Sequence, residues 1–248
     1  MVAMIFAAGL GTRLAPLTDH KPKALVKFMK KTMLENVAEK LVQSGCDKLV
    51  INVHHHAGMM KYFIADHKFG AREVWVSDES DCLLDTGGGM LKAKDLLCQE
   101  DNFILYNVDV ACDIDIRDLY KHHIESGNLA TLAVKDRPST RNLIFDGDMQ
   151  LCAWKNHTTG ETKVSRPFSE NCCKALAFSG ISVVSSRIFP LITESGKFSI
   201  TNLFLRLAAC HKIGGYIHEG LWADLGTTEK LQKAKELFTH TSPVSGGC

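Results

Sequence analysis

Residues 1–26, MVAMIFAAGLGTRLAPLTDHKPKALV, begin with a short apolar run and then break into a loop with two glycines and several basic residues. The apolar run predicts a β-strand that leads directly into the loop. Gly9 and Gly11 leave backbone N–H groups without side chains in front of them, and such groups can hold phosphate oxygens. Arg13 and Lys23 add positive charge. The stretch therefore predicts a strand followed by a phosphate-binding loop.

Two common phosphate-binding patterns do not fit this loop. The GxGxxG fingerprint of dinucleotide-binding proteins would need a third glycine where Leu14 stands. The P-loop pattern GxxxxGK[ST] would need a lysine after Gly11, which is followed by Thr12 and Arg13 instead. The loop must therefore belong to another class.

Composition restricts the partners of the chain. Its 248 residues are 45% hydrophobic, which fits one substantial globular domain. The formal net charge of +1 gives no overall attraction to nucleic acid or anionic lipid. No apolar run reaches the roughly 18 residues of a membrane span, and the N-terminus lacks the basic segment of a signal peptide. We expect a cytoplasmic protein that binds neither nucleic acid nor membrane.

The nine cysteines form no CxxC pair, and their number is odd. In a chain without an export signal, this pattern predicts free and mostly buried thiols.

Strand-like and helix-like patterns alternate through the first half of the chain. Strands are predicted at 2–8, 49–54, 73–77, 103–108 and 129–134, and helices at 33–43, 59–65, 89–97 and 118–125. This alternation predicts a mostly parallel sheet with helices on both faces.

After Asp136 the pattern changes to shorter and more mixed elements. Asp146-Gly147 between two apolar runs predicts a β-hairpin. The segments that follow are predicted as a loop or irregular insertion at 155–171, a strand at 175–186, a helix at 200–209, a strand at 214–220 and a helix at 227–238. We therefore expect one domain over residues 1–238, with a disordered tail at 239–248.

The opening loop resembles the signature loop of the sugar-1-phosphate nucleotidyltransferases, which join a nucleoside triphosphate and a sugar 1-phosphate into a nucleoside-diphosphate sugar. The matching residues are Gly9, Gly11, Thr12, Arg13, Pro16, Leu17, Thr18, Pro22 and Lys23. The resemblance implies an α/β fold of three layers (α/β/α, Rossmann-like) with a mostly parallel mixed sheet and a small β-hairpin insertion. The implied nucleotide-binding residues of the loop are Ala8, Gly9, Gly11, Thr12 and Arg13. Lys23 would reach the α-phosphate, so Arg13 and Lys23 are the implied catalytic cations.

Two aspartates are the candidates for a metal site. Asp109 follows the apolar run FILYNV, and the carboxyl end of such a strand should face the same crevice as the loop. Asp224 lies in LWADLGTTEKL, which resembles the C-terminal metal-binding segment of the same family. The resemblance implies that Asp109 and Asp224 are catalytic and hold one Mg²⁺. The nearby Asp113, Asp115 and Asp118 are predicted as helix caps or turn residues.

The run LLDTGGGMLKA allows two interpretations: a helix start with Thr86 as its cap, or a close approach of the backbone to a nucleobase. The resemblance favours the second and makes Thr86, Gly87 and Gly88 nucleotide-binding candidates. It also assigns Ser179 and Gly180 to the sugar. Asn107 would share a strand face with Asp109 and could bond ribose or sugar hydroxyls.

The sequence contains two runs of adjacent histidines. His54, His55 and His56 follow one another on a strand end, so they cannot easily share one ion, although one of them could touch substrate. His122 and His123, on a predicted helix, are expected to face solvent.

The resemblance extends from Val2 to about Leu237. Among family members it is strongest to N-acetylmuramate-1-phosphate uridylyltransferases and to short mannose- or heptose-1-phosphate guanylyltransferases, which implies UTP or GTP as substrate and a monomer or homodimer. Residues 155–174 lack the Glu-Lys-Pro sequence that some relatives use near the sugar. Two alternatives stay open: a catalytically silent paralogue that binds nucleotide sugars, and a cytidylyltransferase for a non-sugar phosphate such as phosphocholine.

Overall fold

The structure, a computed structural model, describes residues 1–67, 69–169 and 172–240. The strands are β1 Val2–Phe6, β2 Lys27–Phe28, β3 Lys31–Thr32, β4 Lys48–Val53, β5 Glu73–Asp78, β6 Asn102–Asn107, β7 Val110–Cys112, β8 Ala130–Lys135, β9 Arg141–Phe145, β10 Leu151–Asn156, β11 Thr162–Val164, β12 Lys174–Ser185, β13 Ile213–Ile217 and β14 Trp222–Asp224. The helices are α1 Met33–Gln43, α2 Ala57–His67, α3 Asp85–Lys92, α4 Lys94–Leu97, α5 Ile116–Ser126, α6 Ile200–Ala208 and α7 Thr228–His240.

Strand β1 lies inside the main sheet and is buried on both faces. Val2 and Met4 pack into a hydrophobic cluster that includes residues of α3 and α6, while Ala3 and Ile5 pack into a second cluster with α1. Alternate side chains of a strand point to opposite faces, so a strand apolar at every position needs cover on both sides. The result is the predicted three-layer α/β/α arrangement, which matches the expected fold class.

The main sheet is mixed. Its strand order is β11-β10-β9-β12-β6-β1-β4-β5, and β8 pairs with both β12 and β13. The pairs β1–β4, β1–β6, β4–β5 and β8–β13 are parallel, whereas β12 is antiparallel to β6, β8 and β9. The parallel pairs β1–β4, β1–β6 and β4–β5 are formed by N-terminal elements, as the alternating sequence pattern predicted, and β13 adds a C-terminal parallel strand beside β8.

The hairpin predicted at Asp146-Gly147 is present as β9 and β10, with the Asp146 carboxylate accepting from the Gln150 N–H at 2.8 Å. The interpretation of 155–171 as a loop was wrong in part, because β11 pairs with β10 within that segment. Residues 170–171 lie outside the described residues.

Several helix boundaries differ from the prediction. The segment 89–97 forms two helices, α3 and α4, separated at Ala93, and α3 begins before the three glycines. Asp115 caps α5, as expected, and its carboxylate accepts from the N–H of Arg117 and Asp118. Helix α7 includes residues 239–240, which were assigned to the tail, while 241–248 lie outside the described residues. Of the helices in the described part of the chain, none combines the length and the apolarity that crossing a membrane requires.

The described cysteines other than Cys173 are free thiols, as predicted. The expectation that most are buried was wrong. Cys46, Cys112 and Cys152 are buried, Cys173 is half-buried, and the exposed ones are Cys82, Cys98, Cys172 and Cys210.

His123 does not face solvent, contrary to expectation. It lies on the buried side of α5, where one ring nitrogen bonds the Thr131 hydroxyl at 2.9 Å and the other bonds the Asn102 side-chain oxygen at 3.0 Å. Burial, together with the nearby charge of Arg187, lowers the pKa of His123 to about 4. The ring is therefore neutral at physiological pH. His122 is half-exposed.

This burial predicts a pH-dependent stability. The unfolded chain takes up the proton at an ordinary histidine pKa of about 6.5, so the free energy of unfolding should fall as the pH drops from 6.5 towards 4. By pH 5 the loss from His123 is about 2 kcal/mol. Urea unfolding at pH 7 and at pH 5 gives the change in the free energy of unfolding between the two pH values. We expect this change to be about 2 kcal/mol smaller in His123→Gln than in the wild type. His211→Gln, which removes an exposed histidine, should keep the wild-type difference. An unchanged difference in His123→Gln would contradict the assignment.

Candidate active site

A cavity of about 360 Å³ opens at the carboxyl ends of β1, β4 and β6. Six of the predicted site residues line it: Ala8, Gly9, Lys23, Thr86, Asn107 and Asp109. In an open sheet with parallel strands, this edge is where ligands bind. The structure thus brings the opening loop, the glycine-rich segment and the first metal candidate to one crevice.

The two glycines of the opening loop have different roles. A side chain at Gly9 would meet nothing within 4 Å, so the backbone there borders open space. Gly11 has a left-handed backbone (φ 70°), and its carbonyl accepts from the Thr18 hydroxyl at 2.9 Å. Only glycine adopts this conformation readily. Gly11 fixes the turn, and the short 3₁₀ helix Thr12–Leu14 that follows carries Arg13.

Two buried residues that the sequence analysis missed hold the loop in place. The Asn52 side-chain oxygen accepts from the N–H of Ala7 (2.6 Å) and Ala8 (3.2 Å), and its NH₂ group donates to Glu79 at 2.7 Å. The other Glu79 oxygen accepts from the Leu84 N–H at 3.2 Å. Both side chains line the cavity. An asparagine within the apolar run LVINV was the available signal, because a buried polar side chain requires partners.

Asp109 and Asp224 approach each other through a small second sheet. Strand β14 pairs with β7 so that Asp224 lies opposite Val110, and the Leu225 N–H donates to the Asp109 carbonyl at 2.8 Å. A Cβ atom placed on Gly226 would lie 2.7 Å from Asp224 Oδ1 and 3.4 Å from Asp109 Oδ2. One carboxylate oxygen of each aspartate therefore borders the same small space, which only a glycine at 226 leaves open.

Lysines balance the charge of both carboxylates. Lys23 forms an ion pair with Asp109, and Lys230 donates to Asp224 at 2.6 Å. Burial raises the pKa of Asp224, but the hydrogen bonds from Lys230 and from the Gly226 N–H outweigh it and hold the pKa below its usual value. Asp224 is therefore ionised at neutral pH and available to a cation.

The two aspartates form a sparse donor set for a metal. Among the described residues, no group of three or more His, Cys, Asp or Glu side chains is arranged to hold an ion. Mg²⁺ commonly uses one or two carboxylates and completes its shell with water and substrate phosphate. The pair Asp109 and Asp224, with the gap at Gly226, fits that pattern.

Asp224 lines a second, larger cavity of about 920 Å³. Its lining is strongly basic and includes Arg13, Arg137, Arg141, Lys230 and Lys233. Arg13 and Asp224 were predicted as site residues, whereas Arg137, Arg141 and Lys230 were not. Arg137 and Arg141 lie in the turn after β8 and at the start of β9, where the sequence offers no periodic pattern to mark them.

The assignment of Gly87 and Gly88 to a nucleobase stays a prediction, and the structure shows a packing role for both. Neither lines the cavity, and both N–H groups bond the Phe198 carbonyl, at 2.9 and 3.3 Å. A Cβ on Gly87 would lie 2.4 Å from the Phe198 ring, and one on Gly88 would lie 2.2 Å from the Gly196 carbonyl oxygen. Close packing against residues 196–198 explains these glycines. Thr86 does line the cavity, but it lies inside α3 and does not cap it.

The three residues assigned to the sugar differ in their surroundings. Ser179 is fully buried, and its hydroxyl pairs with His218 at 2.8 Å, so it presents no free hydroxyl to a ligand. Gly180 has φ 78°, and a Cβ there would lie 3.0 Å from the Asn107 amide nitrogen. Asn107 itself lines the smaller cavity. Gly180 and Asn107 thus lie together, and the assignment of Ser179 to the sugar stays a prediction.

The histidines at the end of β4 do not gather around one point. His54 bonds the Glu79 carbonyl through Nδ1 at 2.6 Å, and the rings of His55 and His56 lie 4.0 Å apart. None of them lines either of the two cavities.

Sequence comparison identifies the family. A family model described as Nucleotidyl transferase matches residues 2–145 of the chain. The chain belongs to the nucleotidyl transferase family. It is 30% identical to N-acetylmuramate alpha-1-phosphate uridylyltransferase from Caulobacter vibrioides, over 91% of each chain. It is 35% identical to mannose-1-phosphate guanyltransferase from Hypocrea jecorina, over 99% of this chain and 66% of that one.

Solved structures show the same fold. HddC from Yersinia pseudotuberculosis superposes with a TM-score of 0.75 at 23% identity, covering 96% of this chain and 99% of that one. UDP-glucose pyrophosphorylase from Acinetobacter baumanii superposes with a TM-score of 0.79 at 17% identity, covering 98% and 95%. This chain spans 91% of the Caulobacter relative. It spans less than two thirds of the mannose-1-phosphate guanylyltransferase catalytic subunit beta from Dictyostelium discoideum and of the mannose-1-phosphate guanyltransferase from Yarrowia lipolytica.

The contact between Asn52 and Glu79 predicts a specific rescue. Asn52→Asp replaces the donating NH₂ group by a carboxylate oxygen that faces Glu79, and we expect a loss of about 2–3 kcal/mol in the free energy of unfolding. When Glu79→Gln is added to Asn52→Asp, the new amide NH₂ group can donate to the carboxylate at position 52. The amide oxygen can still accept from the Leu84 N–H. The double variant should recover at least about 1 kcal/mol in urea unfolding. Additive losses would show that the two side chains do not interact.

Proposed function

We propose that this nucleotidyl transferase joins a nucleoside triphosphate to a sugar 1-phosphate, giving a nucleoside-diphosphate sugar and pyrophosphate. The observation that carries the proposal is the shared space between Asp109 and Asp224, beside the bare backbone at Gly9. The names of the similar proteins support a sugar 1-phosphate as acceptor and UTP or GTP as donor.

The opening loop is the proposed triphosphate site. The backbone at Gly9 borders open space, and the amides of residues 10–12 follow directly, so they can donate to phosphate oxygens. The Nη2 atom of Arg13 lies 3.4 Å from the position that a Cβ atom on Gly226 would take, so the guanidinium can fork onto the leaving phosphates. Lys23 already contacts Asp109, and its ammonium can transfer that contact to the α-phosphate when the nucleotide binds.

Asp109 and Asp224 are the residues that would hold Mg²⁺. Bound there, the cation would compensate negative charge on the phosphate oxygens. The two carboxylates keep one oxygen each at the space beside Gly226, while Lys230 donates to the outer oxygen of Asp224 and fixes the orientation of that carboxylate.

The chemical step needs alignment more than proton transfer. A phosphate oxygen of the sugar 1-phosphate attacks the α-phosphorus, a new P–O bond forms, and the bond to the β-phosphate oxygen breaks with its electron pair on pyrophosphate. The nucleophile is already ionised near neutral pH, so no general base is required. Preorganised cations that compensate charge in the transition state supply the rate.

The proposal is tested by pyrophosphate release. The purified chain should release pyrophosphate with Mg²⁺ and at least one pair from a panel of UTP, GTP and CTP against N-acetylmuramate 1-phosphate, mannose 1-phosphate, heptose 1-phosphate and phosphocholine. Nucleotide-sugar binding without turnover would favour the silent paralogue, and turnover with CTP and phosphocholine alone would favour the non-sugar transferase.

Removal of either carboxylate charge should abolish most of the turnover. Asp109→Asn and Asp224→Asn keep the side-chain shape, and we expect each to lower kcat at least about 100-fold. Asp148→Asn, which removes an equivalent charge from the exposed turn of the hairpin, should leave kcat unchanged. Circular dichroism and the melting temperature would confirm that the variants fold. Near-normal Mg²⁺-dependent turnover in either site variant would refute the metal assignment.

A further inference from the structure

The larger cavity beside Asp224 carries positive charge that nothing in the described residues neutralises. Arg13, Arg137 and Arg141 line it, and none of the three forms an ion pair with a described carboxylate. Asp224 is the only acidic residue of the described lining, and Lys230 already pairs with it. A cavity of this kind attracts anions.

Arg137 is the most firmly held of these arginines. Its guanidinium carbon lies 3.6 Å from the centroid of the Trp222 ring, and its Nη2 donates to the Phe178 carbonyl at 3.0 Å. The Trp222 ring is itself fixed, because its N–H donates to the Ser179 carbonyl at 2.9 Å. The Nη1 atom of Arg137 also donates to the Pro138 carbonyl at 3.4 Å. Stacking on an aromatic ring with two anchored nitrogens orients the guanidinium before any ligand arrives.

The same side chain has an unmet bonding capacity. The Nε atom of Arg137 is buried and has no hydrogen-bond partner among the described residues. Burial also lowers the pKa of Arg137, while the nearby charge of Asp224 raises it. A buried donor without a partner and a half-buried charge without an anion are both costly. An oxyanion next to Arg137 would remove both costs.

The position of Arg137 relates it to the proposed metal site. Trp222 and Asp224 are two residues apart in β14, so their side chains point to the same face of that strand. Arg137, stacked on Trp222, therefore lies on the face that carries Asp224. Arg137 lines the larger cavity together with Arg13 and Asp224, whereas Gly9, Lys23 and Asp109 line the smaller one.

We propose that Arg137 binds the phosphate of the second substrate, the sugar 1-phosphate, and directs its oxygen towards the space between Asp109 and Asp224. The inference rests on the proposed function. A phosphate dianion matches the planar fork of a guanidinium, and its oxygens can accept from the free N–H groups of Arg137. Arg137 binds the substrate and takes no part in the bond changes at the α-phosphorus.

The test separates the two substrates. With the pair that the panel identifies, Arg137→Met should raise KM for the sugar 1-phosphate about 10- to 100-fold and leave KM for the nucleoside triphosphate within about 3-fold. Arg137→Lys keeps the charge without the planar fork, so its KM should fall between those of Arg137→Met and the wild type. Met keeps apolar contact with Trp222, which favours a folded variant.

Controls make the outcomes distinct. Arg72→Met removes an exposed arginine from the far edge of the sheet and should keep both KM values. Equal increases of the two KM values in Arg137→Met, or a lower kcat with both KM values unchanged, would overturn the role of Arg137 while leaving the proposed function intact. No pyrophosphate release by the wild type with any pair would overturn the proposed function, and this inference with it.

Discussion

The pairing of β7 with β14 is the constraint on which the site depends. Each strand has only three residues, yet their antiparallel contact places Asp224 opposite Val110 and ties the Leu225 N–H to the Asp109 carbonyl. The main sheet positions Asp109 alone, because that residue follows β6. Without the small second sheet, the C-terminal carboxylate would have no fixed relation to the first one.

Two cavities of different character lie at this contact. Asp109 lines the smaller one, together with Lys23. Asp224 lines the larger, basic one, together with Arg13 and Arg137. We infer that the two anionic substrates meet where the carboxylates converge, so that charge compensation and alignment come from one structural feature.

Local patterns predicted much of the fold and part of the site. The apolar run, the glycines and the basic residues of the opening stretch act within a few residues, so strand β1 and the turn at Gly11 could be read directly. The position of Asp109 followed from the rule that parallel strands end at one edge. Asp224 depended on family resemblance, because three-residue strands carry no periodic signal.

Long-range packing could not be read from the sequence. Gly87 and Gly88 are glycines because residues 196–198 press against them, a contact that no local pattern records. His123 is buried because α5 packs against β8, although its helix looks polar at that position. The stacking of Arg137 on Trp222 joins residues that are far apart in the sequence, so no local pattern marks Arg137 as a phosphate-binding candidate.

The most direct measurement is a crystal structure of the chain with Mn²⁺ in place of Mg²⁺ and a non-hydrolysable analogue of its nucleoside triphosphate, with anomalous data collected for manganese. The account predicts an anomalous peak between Asp109 and Asp224, coordinated by one oxygen of each and by the α-phosphate. A manganese ion on the phosphates that contacts only one of these aspartates, or neither, would contradict it.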